Sequence, residues 1–385
     1  MPRILHVAQT TAGGIASYFE EIAPFQSARY GAENVHFVIP GGEEHLPSID
    51  PAQLIRFPSA SRNARSLLDF TRTALRAVDR VKPDIVHLHS TFAGAILRPL
   101  LRIRRRRPFI AYCAHGWAFS METSNAKQNA FALVERRLAR FTDLIHVVSR
   151  SEFALAESVH LPTEKMRVLP NGIAWTPPRQ ARARTGPLRV AFIGRHDRQK
   201  GLDVLLDVIR GGGLSHIHFD IVGNSIVAGA VPDVESSPDN VTMHGWLPRS
   251  AAMKVLGQAD AMVMPSRWDA APIVAIEAMR AGVPVIGSNR GAIPEIVQDG
   301  VGGYIFDLDD PGSLKRRLEQ LTREDLERLG ATARARWERC YDSRQMNALT
   351  CQAYDDLLAS APADGPSHGT ADAGPAAPLH GIAAE

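Results

Sequence analysis

The sequence predicts an α/β protein built from two parallel sheets, each wrapped by helices and facing the other across a cleft. Three observations predict it. Short apolar runs alternate with longer amphipathic stretches from Ile4 to Phe306, and one proline-rich stretch interrupts the alternation near the middle. The 385 residues suffice for two domains that each bury a sizeable core. Each half then reads as a Rossmann-like domain, whose ligands collect at the carboxyl ends of the strands.

In the first half, Ile4–Ala8, Val35–Ile39, Ile85–His89, Phe109–Cys113, Leu144–Val148 and Met166–Leu169 read as strands, with helices at Ser17–Arg29 and Leu67–Val81. Such alternation places helices on both faces of a parallel sheet. Residues 176–187, TPPRQARARTGP, hold three prolines, a glycine and no apolar period, and read as an interdomain linker. The N-terminal domain is therefore expected over 1–175 and the C-terminal one over 188–339. In the second half the strands are Leu188–Ile193, His218–Val222, Val241–His244, Ala261–Met264, Val283–Gly287 and Gly303–Phe306. Helices are expected at Gly201–Ile209, Arg249–Gln258, Pro272–Ala281, Ile293–Val297 and Pro311–Gln320. Residues 321–358 read as two or three helices. Residues 361–385, rich in Ala, Pro and Gly, are expected to be disordered.

Composition excludes several classes. With Lys plus Arg at 44 and Asp plus Glu at 41, the net charge of +3 is too small for a wholesale nucleic-acid binder. Cys113, Cys340 and Cys351 are widely spaced and form no CxxC, which argues against a disulfide framework and for a reducing compartment. Residues 1–8 read as a strand rather than a leader, and no run approaches the ~18 apolar residues of a membrane span. The expected location is cytoplasmic, with any membrane contact peripheral.

The most informative segment is Pro265–Ile286, PSRWDAAPIVAIEAMRAGVPVI. A strand leads through a loop into a helix opened by Pro272, whose missing N–H costs nothing there. The free N–H groups of Ile273 and Val274, with the helix dipole, suit a diphosphate. Asp269 and Glu277 flank that mouth; carboxylates accept from hydroxyls and repel phosphate, so they face sugar and ribose. Taken alone, Glu277 also reads as a solvated helix residue and Asp269 as a turn former. In Phe192–Gly201, FIGRHDRQKG, Gly194 permits a tight strand exit, and Arg195 and Lys200 supply two cations suited to a leaving diphosphate. Gly223 and Gly245, the latter followed by Trp246, end two further strands and let a nucleotide approach the backbone.

In the first half, Thr11–Ile15, TAGGI, forms a loop in which Gly13 and Gly14 permit close backbone approach to a ligand. The G-x-G-x-x-G dinucleotide fingerprint is absent, which argues against an NAD-dependent enzyme. His115-Gly116 follows a strand. His87 and His89 read mainly as structural, with His89 near enough to a strand end to line an acceptor cleft. Asn171-Gly172 reads as a turn or hinge. The run Leu97–Arg107, LRPLLRIRRRR, reads as a basic amphipathic helix whose Arg98, Arg102, Arg104, Arg105, Arg106 and Arg107 suit an anionic membrane surface.

Read in order, GR…KG, IVGN, HGW, D-x7-E with AM-x-AG-x-PVI, and GAIPEIV resemble the nucleotide-sugar half of the retaining GT-B glycosyltransferases of group 1, also called family 4. The resemblance is strong over 188–306 and weaker elsewhere in 1–355. It implies the GT-B fold, with C-terminal helices packing back on the N-domain. It also implies transfer of a sugar from a UDP- or GDP-sugar to a hydroxyl of a saccharide acceptor, lipid-linked in many members, with retention at the anomeric carbon. Glu277 matches the ribose-holding Glu, Arg195 and Lys200 match the diphosphate cations, and Ile273 and Val274 match the phosphate-binding N–H groups. His115 matches the strand-end His that reaches the sugar or its phosphate. Asp269 stands where the family usually has Glu and is one methylene shorter. No cofactor and no metal are implied: helix N–H groups and the two cations replace a divalent ion. Bacterial exopolysaccharide, capsule or lipopolysaccharide assembly is implied by analogy. An epimerase or hydrolase acting on nucleotide sugars, and a nucleotide-sugar-binding protein without activity, would share these motifs.

Overall fold

The computed structural model describes residues 1–11, 13–42, 46–61, 63–177, 185–224 and 238–360. Residues 178–184 of the expected linker and the expected disordered tail, 361–385, lie outside the described residues.

The first sheet holds β1 (Ile4–Ala8), β2 (Val35–Pro40), β3 (Leu54–Phe57), β4 (Ile85–His89), β5 (Phe109–Cys113), β6 (Leu144–Val147) and β7 (Met166–Val168). All neighbours pair in parallel, in the order β3-β2-β1-β4-β5-β6-β7. Its helices are α1 (Gly14–Tyr30), α2 (Ala64–Val81), α3 (Thr91–Arg102), α4 (Asn125–Ala139) and α5 (Arg150–Ser158). The second sheet holds β8 (Leu188–Ile193), β9 (Ile217–Val222), β10 (Val241–Gly245), β11 (Ala261–Met264), β12 (Val285–Ser288) and β13 (Gly303–Phe306), parallel in the order β10-β9-β8-β11-β12-β13. It carries α6 (Leu202–Arg210), α7 (Arg249–Gln258), α8 (Ile273–Arg280), α9 (Ile293–Val297), α10 (Ser313–Glu319) and α11 (Arg323–Cys340). In both sheets the strand order reverses beside the first strand, between β1 and β4 and between β8 and β11, which is where such sheets open a crevice.

β1 and β4 are buried at every position, as strands covered on both faces must be. One face packs Leu5, Val7, Val86 and Leu88 against α2 and α3. The other packs Ile4, Ala8 and Ile85 against α1 and against α12 (Ser343–Ala359), which returns from the far end of the chain. Two chain crossings lie side by side at this return: Ile173 donates to the Tyr341 carbonyl and Ser343 to the Ile173 carbonyl, both at 3.0 Å. Asn171, expected to cap a turn or shape the hinge, spans the halves, its Nδ2 donating to the Ala271 carbonyl at 3.1 Å.

The basic run departs from expectation. The helix ends at Arg102, so Arg104 to Arg107 lie in the turn before β5, where Arg104 pairs with Asp79 and Arg107 with Asp143. Arg98 faces inward and is 1% exposed: Nε donates to the Gly94 carbonyl and Nη2 to Glu135 Oε2 at 2.7 Å. Its guanidinium lies 3.9 Å over the Tyr112 ring, whose hydroxyl donates to Glu135 Oε1. A charge so completely paired has no reason to reach the surface. Arg98 therefore is not a membrane-facing residue. Among the described residues no helix is long and apolar enough to cross a membrane.

Candidate active site

The two halves meet at the carboxyl ends of their strands. On the C-terminal side, β11 runs into the loop 265–272, Pro272 stands at the N-cap of α8, and the helix begins at Ile273. Its first N–H groups have no acceptor within the helix. Ile273 meets the start of α1 in the other half: a Cβ placed on Gly14 would stand 3.6 Å from Ile273 Cδ1. Gly13, with φ +76 and open space at its missing side chain, opens α1. Two helix N-termini, one from each half, thus lie close together, and a helix N-terminus suits an anion.

Charged side chains surround this point. Lys200 Nζ lies 2.5 Å from Asp269 Oδ2, and the pair is mostly buried, at 18% and 11% exposed. Arg195, half exposed, turns within its own loop, where Nη2 meets Gln199 Oε1 at 2.8 Å and Asp197 Oδ2 at 3.0 Å. Gln199 in turn holds the Trp268 carbonyl at 3.1 Å. Glu277 is 5% exposed and carries a partner that the sequence did not announce: Arg249, at the start of α7, donates to its Oε1 from Nε and Nη2 at 2.9 and 2.6 Å. The ends of β8, β9 and β10 close up beside them. Gly194 donates to the Val222 carbonyl and Gly223 to the Gly245 carbonyl. Gly223 has φ +137, and a Cβ there would stand 1.9 Å from the Gly194 carbonyl oxygen, so only glycine fits. Trp246, next in chain, is 66% exposed.

The N-terminal side is built of imidazoles. His115 sits just beyond β5 in the left-handed region, φ +53, followed by Gly116. Its Nε2 lies 2.9 Å from His89 Nδ1; His89 Nε2 lies 3.0 Å from His6 Nδ1; His6 Nε2 lies 2.8 Å from Gln26 Oε1. His89 is fully buried beneath His115, in keeping with a structural residue and not with one that lines the cleft. His87 and His146 complete the cluster, with Tyr18 against its rings. Burial lowers every one of these histidines, His115 to about 3, His6 and His146 to about 4, and His87 and His89 well below their ordinary value, so all five are neutral at working pH. Ser90, between β4 and α3, holds φ +84 and ψ 153, costly for a side-chain residue, with its hydroxyl buried and unpartnered. Such strain concentrates at functional sites.

Glu152 closes the cleft from α5. It accepts from the Trp117 N–H at 3.2 Å. Burial, with the charge of Asp269 from the other half, pushes its carboxyl up to about 8 against the lowering pull of that N–H. Nothing in its sequence context sets Glu152, Ser90 or Arg249 apart. Contacts across the cleft complete the assembly: Glu295 of α9 accepts from the N–H groups of Arg150 and Ser151 at the start of α5, and Arg198 pairs with Glu122.

Comparison with known proteins agrees with this architecture. Residues 175–336 match the family described as glycosyl transferases group 1, and residues 13–172 match the glycosyl transferase 4-like domain. The chain belongs to the group 1 glycosyltransferases. It is 29% identical over 333 residues to an uncharacterized 41.2 kDa protein in the cps region of Klebsiella pneumoniae, covering 83% of this chain and 90% of that one. It is 25% identical over 286 residues to the putative colanic acid biosynthesis glycosyltransferase WcaL of Escherichia coli, covering 69% of each. Among solved structures, sucrose-phosphate synthase from Thermosynechococcus elongatus superposes with a TM-score of 0.74 at 17% identity, over 93% of this chain and all of that one. Anabaena Alr3699/HepE in complex with UDP-glucose superposes at 0.73 and 17% identity, again over 93% of this chain and all of that one. The fold is GT-B, and the enzyme is a glycosyltransferase.

Proposed function

We propose that this glycosyltransferase moves a sugar from a UDP- or GDP-sugar to a hydroxyl of a lipid-linked saccharide, with retention at the anomeric carbon and without a metal ion. The observation that carries the reading is the Lys200–Asp269 pair at the mouth of α8. A nucleotide sugar offers each partner a replacement: phosphate oxygens for the ammonium, sugar hydroxyls for the carboxylate. The diphosphate lies between the N–H groups of Ile273 and Val274, Lys200 and a swung-in Arg195, which stabilise the leaving group. The Gly13-Gly14 end of α1 closes on it from the other half. Glu277, held by Arg249, takes the ribose. Gly223, Gly245 and Trp246 receive the base, and His115 reaches the sugar. No side chain is assigned as a nucleophile; the departing phosphate takes the acceptor proton. A neighbouring fold that is seen with UDP-glucose, and a relative described as a putative colanic acid biosynthesis glycosyltransferase, support the donor class and a polysaccharide pathway.

A membrane-delivered acceptor agrees with the surface at the far end of the first sheet. Ile103 is 81% exposed between the exposed Arg102 and Arg105–Arg106. Adjacent α4 exposes Phe131, Leu133 and Val134 with Lys127, Arg136 and Arg137, while its one acid, Glu135, is buried on Arg98. Apolar side chains among unopposed cations fit an anionic bilayer surface.

The test is turnover of UDP- and GDP-sugars with and without a lipid extract. Acceptor-dependent release of nucleoside diphosphate and an α-linked product from an α-linked donor are expected. An isomerised donor, hydrolysis alone, or an inverted linkage would overturn the reading.

A further inference from the structure

We propose that the buried row Gln26–His6–His89 fixes the tautomer of His115, leaving its Nδ1 bare toward the cleft, and thereby assigns His115 to a sugar hydroxyl rather than to a phosphate oxygen. The second half of this statement rests on the donor site proposed above; the first half stands on the row alone.

The row works by elimination. A carbonyl oxygen only accepts, so Gln26 Oε1, at 2.8 Å, requires the hydrogen on His6 Nε2 and leaves His6 Nδ1 bare. That bare nitrogen, 3.0 Å from His89 Nε2, requires the hydrogen there, and His89 Nδ1 is left bare. His89 Nδ1 lies 2.9 Å from His115 Nε2, which must then carry a hydrogen. The remaining nitrogen of His115 is an acceptor. All three imidazoles are held neutral by burial, so no second proton blurs the assignment. Turning the amide end for end would reverse every hydrogen in the row and give His115 an Nδ1–H donor.

A shared metal ion is the other use such a cluster suggests, because nitrogens of His6, His87 and His89 lie within 4.8 Å of one another. The rings of His87 and His89 are 4.1 Å apart between centroids and 37° from parallel. His87 Nδ1 already meets the Tyr354 hydroxyl at 2.6 Å. Both nitrogens of His6 are already engaged. The geometry favours the hydrogen-bonded row.

The consequence concerns substrate. A bare nitrogen repels a phosphate oxygen and accepts from a hydroxyl. Gln26, His6 and His89 are positioning residues: each is at most 1% exposed, and they act on the cleft only through His115.

The experiment is long-range proton–nitrogen NMR on 15N-histidine-labelled, ligand-free protein, paired with kinetics. Wild type is expected to show His115 protonated at Nε2. His89→Gln retains an amide oxygen as acceptor and should keep both the tautomer and near-normal turnover. His89→Leu leaves the buried Nε2–H without an acceptor, so the hydrogen should move to Nδ1. Turnover should then fall about 10–100-fold, with affinity for free nucleoside diphosphate unchanged. Gln26→Leu, a milder change at the far end, should populate both tautomers. Wild-type His115 protonated at Nδ1, or a single unaltered tautomer in His89→Leu and Gln26→Leu, would overturn the row. Zinc binding that shifts all three imidazole signals together would replace it by a metal site. The tautomer measurement needs no substrate: a correct tautomer with no sugar transfer would sink the functional reading and leave the row standing.

Discussion

The two sheets share a strand order and differ in what their carboxyl ends present. The second offers charges, each already matched: Lys200 with Asp269, Glu277 with Arg249, Arg195 with Asp197. The first offers neutral imidazoles buried in a row behind His115. An ion pair is a reservation that a charged ligand can take over, because phosphate and hydroxyls replace each partner with little net loss of charge compensation. Neutral buried rings cannot be taken over; they hold geometry. The C-terminal half is therefore suited to capture the leaving group and the N-terminal half to orient what is transferred.

This division predicts where a lost charge is felt. Arg98→Leu should cost about 3–5 kcal/mol of unfolding free energy in chemical denaturation, because it strands the buried Glu135, and should leave nucleotide affinity intact. Lys200→Ala should lower kcat/KM about 100–1000-fold with a smaller loss of stability, because Asp269 keeps more solvent contact than Glu135. Equal stability losses in both would erase the distinction. The imidazole row predicts acid sensitivity. Unfolded histidine binds a proton near 6.5, whereas folded His6 and His146 do so only near 4. The stability they contribute is complete above 6.5 and is lost as pH falls from 6.5 toward 4. Denaturation at pH 5 should show at least about 2 kcal/mol less stability than at pH 7, and His146→Phe should flatten that slope; an identical slope would contradict it. The smallest effect is expected at the far surface. Arg105→Gln with Arg106→Gln should weaken sedimentation with anionic vesicles by about 1 kcal/mol per charge while sparing a soluble acceptor. Unchanged sedimentation would remove the membrane surface.

How far the sequence carried this picture follows from what each element buries. Strands covered on both faces, such as β1 and β4, declare themselves as apolar runs, and the α8 mouth was legible from Pro272 and the two flanking carboxylates. β3 was not, since only Phe57 of its four residues is buried. Helix α4 hides because its buried positions are Ala132, Glu135 and Ala139, which make no apolar stripe. Arg98 was misread because its partner lies 37 residues away. Arg249 and Glu152 act through contacts between elements distant in the chain, which no local pattern encodes. The histidines did leave a signal: polar residues inside otherwise apolar strands, at His6, His87, His89 and His146, with His6 and His87 directly paired.

The most direct test of the central claim is a crystal structure with bound nucleoside diphosphate. The diphosphate is predicted to lie against the backbone nitrogens of Ile273 and Val274, with Lys200 turned from Asp269 onto a phosphate oxygen. A diphosphate bound elsewhere, with the Lys200–Asp269 pair intact, would contradict the account.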